Sequence, residues 1–181
     1  KGFAHADLDE FYGAVGREVR ARLAKTLPLE PSSSAVGHMM VRGSGGKNAS
    51  NPSLDADRLA RSLVKPIRDI ADRGGKGWRS YAALACIDVV GGDSRKFLHW
   101  LVMPEIVHVG SLIVDDVEDA STVRRGGPAA HVLHGVPRAI NAGTAAYFLA
   151  EPPIDQDDLP AATKLRIYRL YFDALRAGHA G

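Results

Sequence analysis

Asp115-Asp116-Val117-Glu118-Asp119 closes a mostly apolar run, Leu101 to Val114, and Arg124-Arg125-Gly126 follows a few residues on. The run has the length and composition of a buried helix. Four acidic side chains at its end are costly. On a helix Asp115 and Asp119 share a face, with Asp116 beside them. Like charges that close raise each other's pKa unless a positive group sits between them. Mg²⁺ with a phosphate-bearing substrate resolves the repulsion, because it takes a few carboxylate oxygens and shares the rest with phosphate and water. The paired arginines would meet the same phosphates bidentately. The plainer alternative is an acidic helix end followed by a solvated basic turn, which leaves so long an apolar run capped by acids without a reason.

Outward from this stretch, composition sets the bounds. A chain of 181 residues suffices for one domain, 1–181, with a sizeable core. Its hydrophobic fraction of 45% and charged fraction of 24% are ordinary for a globular protein. A net charge of +2 gives no basic field for nucleic acid. The single cysteine, Cys86, predicts a reducing compartment without disulfides. Leu101–Val114 is interrupted by Pro104, Glu105 and His108, so no membrane span is expected. With no signal-peptide pattern at the start, the expected location is cytoplasmic.

Helical spacing of Leu8, Phe11, Tyr12, Val15, Val19 and Leu23 predicts an amphipathic helix over 6–25. Residues 31–52 shift to Ser, Gly, Asn and Pro and read as a flexible loop. Within it, Gly43–Lys47 lacks the preceding strand, the spacing and the following Ser/Thr of a phosphate loop. Ser53 is placed to cap a helix reaching Asp72, with Pro66 as a kink. A glycine-rich bend at 74–79 leads to a helix from Ser80 to Val90, and Ser94 begins the long helix that ends in the aspartates. Beyond the turn at Gly126-Gly127-Pro128, short and longer helices are expected over 131–134, 137–151 and 159–177, with 152–158 a loop. No strand pair stands out. The expectation is all-α, a helical bundle.

Lys76 and Arg79 sit on the glycine bend at a helix start, where backbone N–H groups and the helix dipole already favour an anion. A capping turn with two solvated cations would look the same. His108 lies about two turns before Asp115 on the same face and reads either as an anion ligand or as a satisfied core histidine. His131 and His134 lack zinc-ligand partners at suitable spacing, and no Ser or Cys nucleophile has a partner.

Three stretches taken together resemble the trans-isoprenyl diphosphate synthases, the family of farnesyl and geranylgeranyl diphosphate synthases. They are Gly74-Gly75-Lys76-x-x-Arg79, then Glu105 through Asp119, then Val123-Arg124-Arg125-Gly126-x-Pro128-x-x-His131, with Ala139 to Phe148 continuing the likeness. The aspartate motif alone would not suffice, since class I terpene cyclases share it. The resemblance implies an isoprenoid-synthase bundle. Asp115, Asp116 and Asp119 would then hold Mg²⁺ and the allylic diphosphate, which Arg124 would also contact. Lys76, Arg79, His108 and Arg125 would bind isopentenyl diphosphate. The implied reaction ionises the allylic diphosphate, joins the two chains and loses a proton. A homodimer is implied as well.

In that family the residues four and five before the first aspartate set product length. Here they are Ser111 and Gly110, both small. With the unexpanded Asp-Asp-x-x-Asp spacing they favour geranylgeranyl diphosphate, and Phe at either position is expected to shorten the product. The family's second aspartate-rich motif has no counterpart in 1–181, so the bundle is expected to be incomplete at its C-terminal end and the chain inactive alone. Two rivals share these features: a terpene cyclase, or the prenyltransferase domain of a bifunctional terpene synthase, and a non-catalytic subunit of a heteromeric synthase. A cyclase needs no second diphosphate site, and the intact aspartate motif speaks against a non-catalytic subunit.

Overall fold

A computed structural model describes residues 5–32, 35–36, 39, 55–75 and 77–180, with only the backbone for 5–9 and 11. Helix α1 runs over His5–Thr26. It buries Val15, Val19, Leu23 and the following Leu27, a single stripe at helical spacing. The 31–52 loop lies largely outside the described residues. Of those described, Val36 is buried in the core and donates its N–H to Ser32 O at 3.0 Å.

Helix α2 comprises Ala56–Leu59, a π-helical segment Ala60–Val64, and Lys65–Ala71. Ser53 lies outside the described residues, and the cap is Asp55, whose carboxylate accepts from the Arg58 N–H at 3.0 Å. The expected disturbance at Pro66 appears as the π turn just before it, which absorbs the missing N–H and the ring's bulk with the chain still helical. Arg68 on α2 is only 9% exposed. Its Nη1 donates to Leu27 O at 2.8 Å and its Nε to Asp72 at 2.9 Å, tying α2 to the end of α1. Arg68→Ala is expected to cost about 2 kcal/mol, through a buried carbonyl left unpaired and lost packing. Urea unfolding followed by circular dichroism checks this, and an unchanged midpoint would contradict it.

Helix α3 spans Trp78–Val89. Ser94–Leu101 is 3₁₀ rather than the α-helix expected there, capped by Asp93, and passes into α4, Val102–Glu118. A two-residue hairpin, unforeseen in the sequence, pairs β1 (Val123–Arg124) with β2 (Gly127–Pro128). Arg125 and Gly126 at its tip have φ of 50° and 74°, the signs that a type I′ turn needs. Arg73 Nη1 clamps it by donating to Arg124 O and Pro128 O, each at 2.8 Å. Helices α5 (Ala130–His134), α6 (Val136–Leu149), α7 (Pro152–Gln156) and α8 (Ala161–Ala180) complete the described chain. The 152–158 stretch expected to be loop thus contains a helical turn.

The architecture is all-α, with α4 and α6 packed at its centre and α2 beside both. By length and composition alone, Ser94–Glu118 is apolar enough for a membrane span, contrary to the sequence expectation. Its apolar stripe is occupied otherwise: Leu101, Ile106, Val109 and Ile113 are buried in the core. Gly110 of α4 meets Gly143 of α6 so closely that a Cβ on Gly110 would lie 2.6 Å from Gly143 O. That close approach fixes the helix carrying the aspartates.

Candidate functional site

The three aspartates do not behave alike. Asp116, expected beside the other two, has a side chain with no exposure, while Asp115 is 53% exposed. Arg124 Nε donates to Asp116 Oδ1 at 2.8 Å, and its Nη2 reaches the same oxygen and, at 3.3 Å, Asp115 Oδ2. The Asp116 hydrogen bond holds the Arg124 guanidinium above its ordinary pKa. Asp119 is the C-cap of α4, and its exposed carboxylate makes no hydrogen bond or close ion pair among the described residues, though its charge is felt by Arg124. Asp115 and Asp119 therefore face solvent at the negative end of a helix dipole, which disfavours them unless a cation is near.

Two exposed hard oxygen donors and one buried carboxylate oxygen without a partner, Asp116 Oδ2, fit Mg²⁺ shared with phosphate and water. Among the described residues no three metal-type donors already stand together, so the protein alone would not enclose the ion.

The second cluster lies under the glycine bend. Gly74 and Gly77 have φ of 74° and 66°, conformations that glycine adopts without strain. Helix α3 starts there without a side-chain cap. Arg79 Nη1 lies 3.0 Å from His108 Nε2. A guanidinium only donates, so His108 Nε2 accepts and the ring is neutral. Burial and the Arg79 charge push the His108 pKa down. His108 is thus neither an isolated core histidine nor apart from the cations. Arg125 donates to Glu105 at 3.3 Å and to Ile70 O at 3.4 Å. Arg79, His108, Arg125 and Glu105 line one cleft of about 60 Å³ with Arg20 of α1. Lys76 lies outside the described residues.

The I′ turn explains how adjacent arginines serve different places. Positive φ at Arg125 sends Arg124 to the aspartates and Arg125 to Glu105 and against Gly75 of the glycine bend. Sequence reasoning missed Glu105 and Arg20 as cleft residues. Glu105 precedes His108 by one helical turn, so its spacing was a usable signal. Arg20 had none.

Gly110 and Ser111, the pair expected from the resemblance to set product length, separate as well. Ser111 is exposed, and its hydroxyl donates to His108 O at 2.8 Å. Gly110 is buried against α6, and its Cβ would also lie 2.7 Å from Ala146 Cβ. Gly110 therefore has no room for the Phe whose introduction was expected to shorten the product, and of the two only Ser111 is exposed.

The polyprenyl synthetase family model matches residues 60–181. A geranylgeranyl pyrophosphate synthase of Dictyostelium discoideum is 32% identical over 121 residues, covering 65% of this chain and 39% of that protein. One from Metarhizium anisopliae is 35% identical over 131 residues, covering 70% and 37%. The crystal structure of geranylgeranyl pyrophosphate synthetase from Pyrococcus horikoshii superposes with a TM-score of 0.67 at 24% identity, covering 96% of this chain and 46% of that one. The chain spans less than half the length of each of these proteins.

Proposed function

Since the chain belongs to the polyprenyl synthetase family, we propose that it forms part of a prenyltransferase that condenses isopentenyl diphosphate with an allylic diphosphate, geranylgeranyl diphosphate being the favoured product. The carrying observation is the division of labour at the hairpin, where Arg124 reaches the carboxylates and Arg125 lies against Gly75 of the glycine bend. Two separate anion sites suit two diphosphates. The likeness to geranylgeranyl pyrophosphate synthases and the small, exposed Ser111 support the longer product.

In this reading Asp115 and Asp119 hold Mg²⁺ at the allylic diphosphate, with Asp116 in support through Arg124. The bound ions would supply Lewis-acid stabilisation of the departing diphosphate. Arg124 adds a guanidinium to the same charge, and the hydrogen bond it donates to Asp116 fixes where that charge sits. Arg79, Arg125 and Lys76 hold isopentenyl diphosphate. His108 donates to it once the incoming anion offsets the burial and the Arg79 charge that push its pKa down. Apolar residues of α4 exclude water from the reacting carbons.

Incubating the full-length protein with isopentenyl diphosphate, labelled farnesyl diphosphate and Mg²⁺ tests the reading. Longer linear diphosphates are expected, abolished by EDTA and restored by Mg²⁺. Labelled hydrocarbons would replace it with a cyclase, and unchanged farnesyl diphosphate with a non-catalytic subunit.

A further inference from the structure

Tyr147 of α6 brings an aromatic ring to the place on α4 where Gly110 has no side chain. A Cβ on Gly110 would run into α6, with Gly143 O and Ala146 Cβ too close, and Tyr147 Cε1 lies 3.5 Å from the same point. That last distance is ordinary van der Waals contact. The aromatic group beside residue 110 therefore comes from the facing helix. Gly143, one turn before Tyr147, permits the approach, since a Cβ there would meet Val114 Cγ2 at 2.9 Å.

The same ring reaches the last described helix. It packs edge-on against His179 of α8, with centroids 5.4 Å apart and planes at 80°. His179 is held by its Nδ1, which donates to Leu175 O at 2.9 Å. Tyr171 of α8 donates its hydroxyl to Tyr147 O, so α6 and α8 are tied at this residue. Tyr147 is half-buried, and burial together with the Glu118 charge pushes its hydroxyl pKa up. Gly110, Val114 and Glu118 form one row of α4 at four-residue spacing. The ring lies along that row, next to the exposed Ser111.

We propose that Tyr147 is a further product-length residue, its ring filling the gap between α4 and α8 at the level of Gly110 and stopping the growing chain there. The assignment rests on the prenyltransferase reading. A chain extending from a diphosphate at Asp115 toward the start of α4 reaches residue 110 after about 7.5 Å, at 1.5 Å per residue. Ser111 is too small to stop it, and Tyr147 is the large side chain that meets α4 at that level. The Tyr147 hydroxyl makes no hydrogen bond among the described residues, so the ring is the part that blocks.

Products of the full-length protein with isopentenyl diphosphate, labelled farnesyl diphosphate and Mg²⁺, chromatographed after removal of the diphosphate, test it. Tyr147→Ala is expected to move the main product up by at least one five-carbon unit, through the space the ring leaves. Tyr147→Leu, which keeps an apolar side chain for packing, should move it the same way and stands in where Tyr147→Ala does not fold. Tyr147→Phe should leave the product unchanged, as should Thr144→Ala, an exposed position on α6 whose hydroxyl bonds only to its own helix. If Ser111→Phe shortens the product while folded Tyr147→Ala and Tyr147→Leu leave it unchanged, this assignment is wrong and the prenyltransferase reading stands. Lengthening by Tyr147→Phe as well would place the effect on the hydroxyl and overturn the assignment too. If the unaltered protein makes no linear diphosphates, both fall.

Discussion

Asp116→Ala is expected to destabilise the fold by about 3 kcal/mol, and Asp115→Ala to leave stability within about 0.5 kcal/mol. The two residues are neighbours in sequence, but their side chains are 0% and 53% exposed. Removing Asp116 strands Arg124, which is 26% exposed, beside the interior without its main acceptor. It also removes the contact that draws the hairpin onto the end of α4. Removing Asp115 takes a negative charge from the C-terminal end of a helix, where the dipole disfavours it. The order reverses when Mg²⁺-dependent pyrophosphate binding is measured. Asp115→Ala and Asp119→Ala should each lose it by roughly a hundredfold, the loss of one metal-ligating carboxylate. Urea midpoints for the three variants, with Mg²⁺ titrations on the folded protein, separate the roles. Equal destabilisation by Asp115→Ala and Asp116→Ala would show that the buried pair does not anchor the hairpin.

The helices were legible because burial leaves a period in the sequence. Val15, Val19 and Leu23 in α1, and Ile106, Val109 and Ile113 in α4, repeat at helical spacing and are buried together. The Asp, Arg and glycine clusters were legible because their chemistry is unusual for an apolar bundle. What stayed hidden depends on direction rather than composition. Asp115 and Asp116 carry the same side chain, and only the packing of α4 decides which one turns inward. The hairpin at 123–128 is too short for alternation to register, and its I′ tip has Arg125 where the usual signal would be Asn or Asp. Arg20 belongs to a helix remote in sequence from the motifs, and only the fold brings it over Gly74.

Gly110→Phe is expected to abolish cooperative folding, while Ser111→Phe folds and shortens the product by one five-carbon unit. A Cβ alone at 110 would stand 2.6 Å from Gly143 O and 2.7 Å from Ala146 Cβ, and backbone cannot give way as a flexible side chain can. Even Gly110→Ala must push α4 from α6, and should cost about 3 kcal/mol, at the upper end for overpacking a core. The contact is reciprocal. A Cβ on Gly143 would meet Gly110 O at 3.0 Å and Val114 Cγ2 at 2.9 Å, so Gly143→Ala should also destabilise. Ser111 is exposed, and its hydroxyl bonds only to a carbonyl of its own helix, so replacing it should cost less than about 1 kcal/mol. It shares the α4 face of His108 and Asp115, between the two proposed anion sites, where on the proposed reading a growing apolar chain would pass. Urea unfolding of the 110 and 143 variants tests the helix contact. Chromatography of products from full-length Ser111→Phe, after removal of the diphosphate, tests the ruler. A stable Gly110→Ala protein would mean that α4 and α6 can separate at no cost, and Gly110 would then return as a second residue open to the substrate tail.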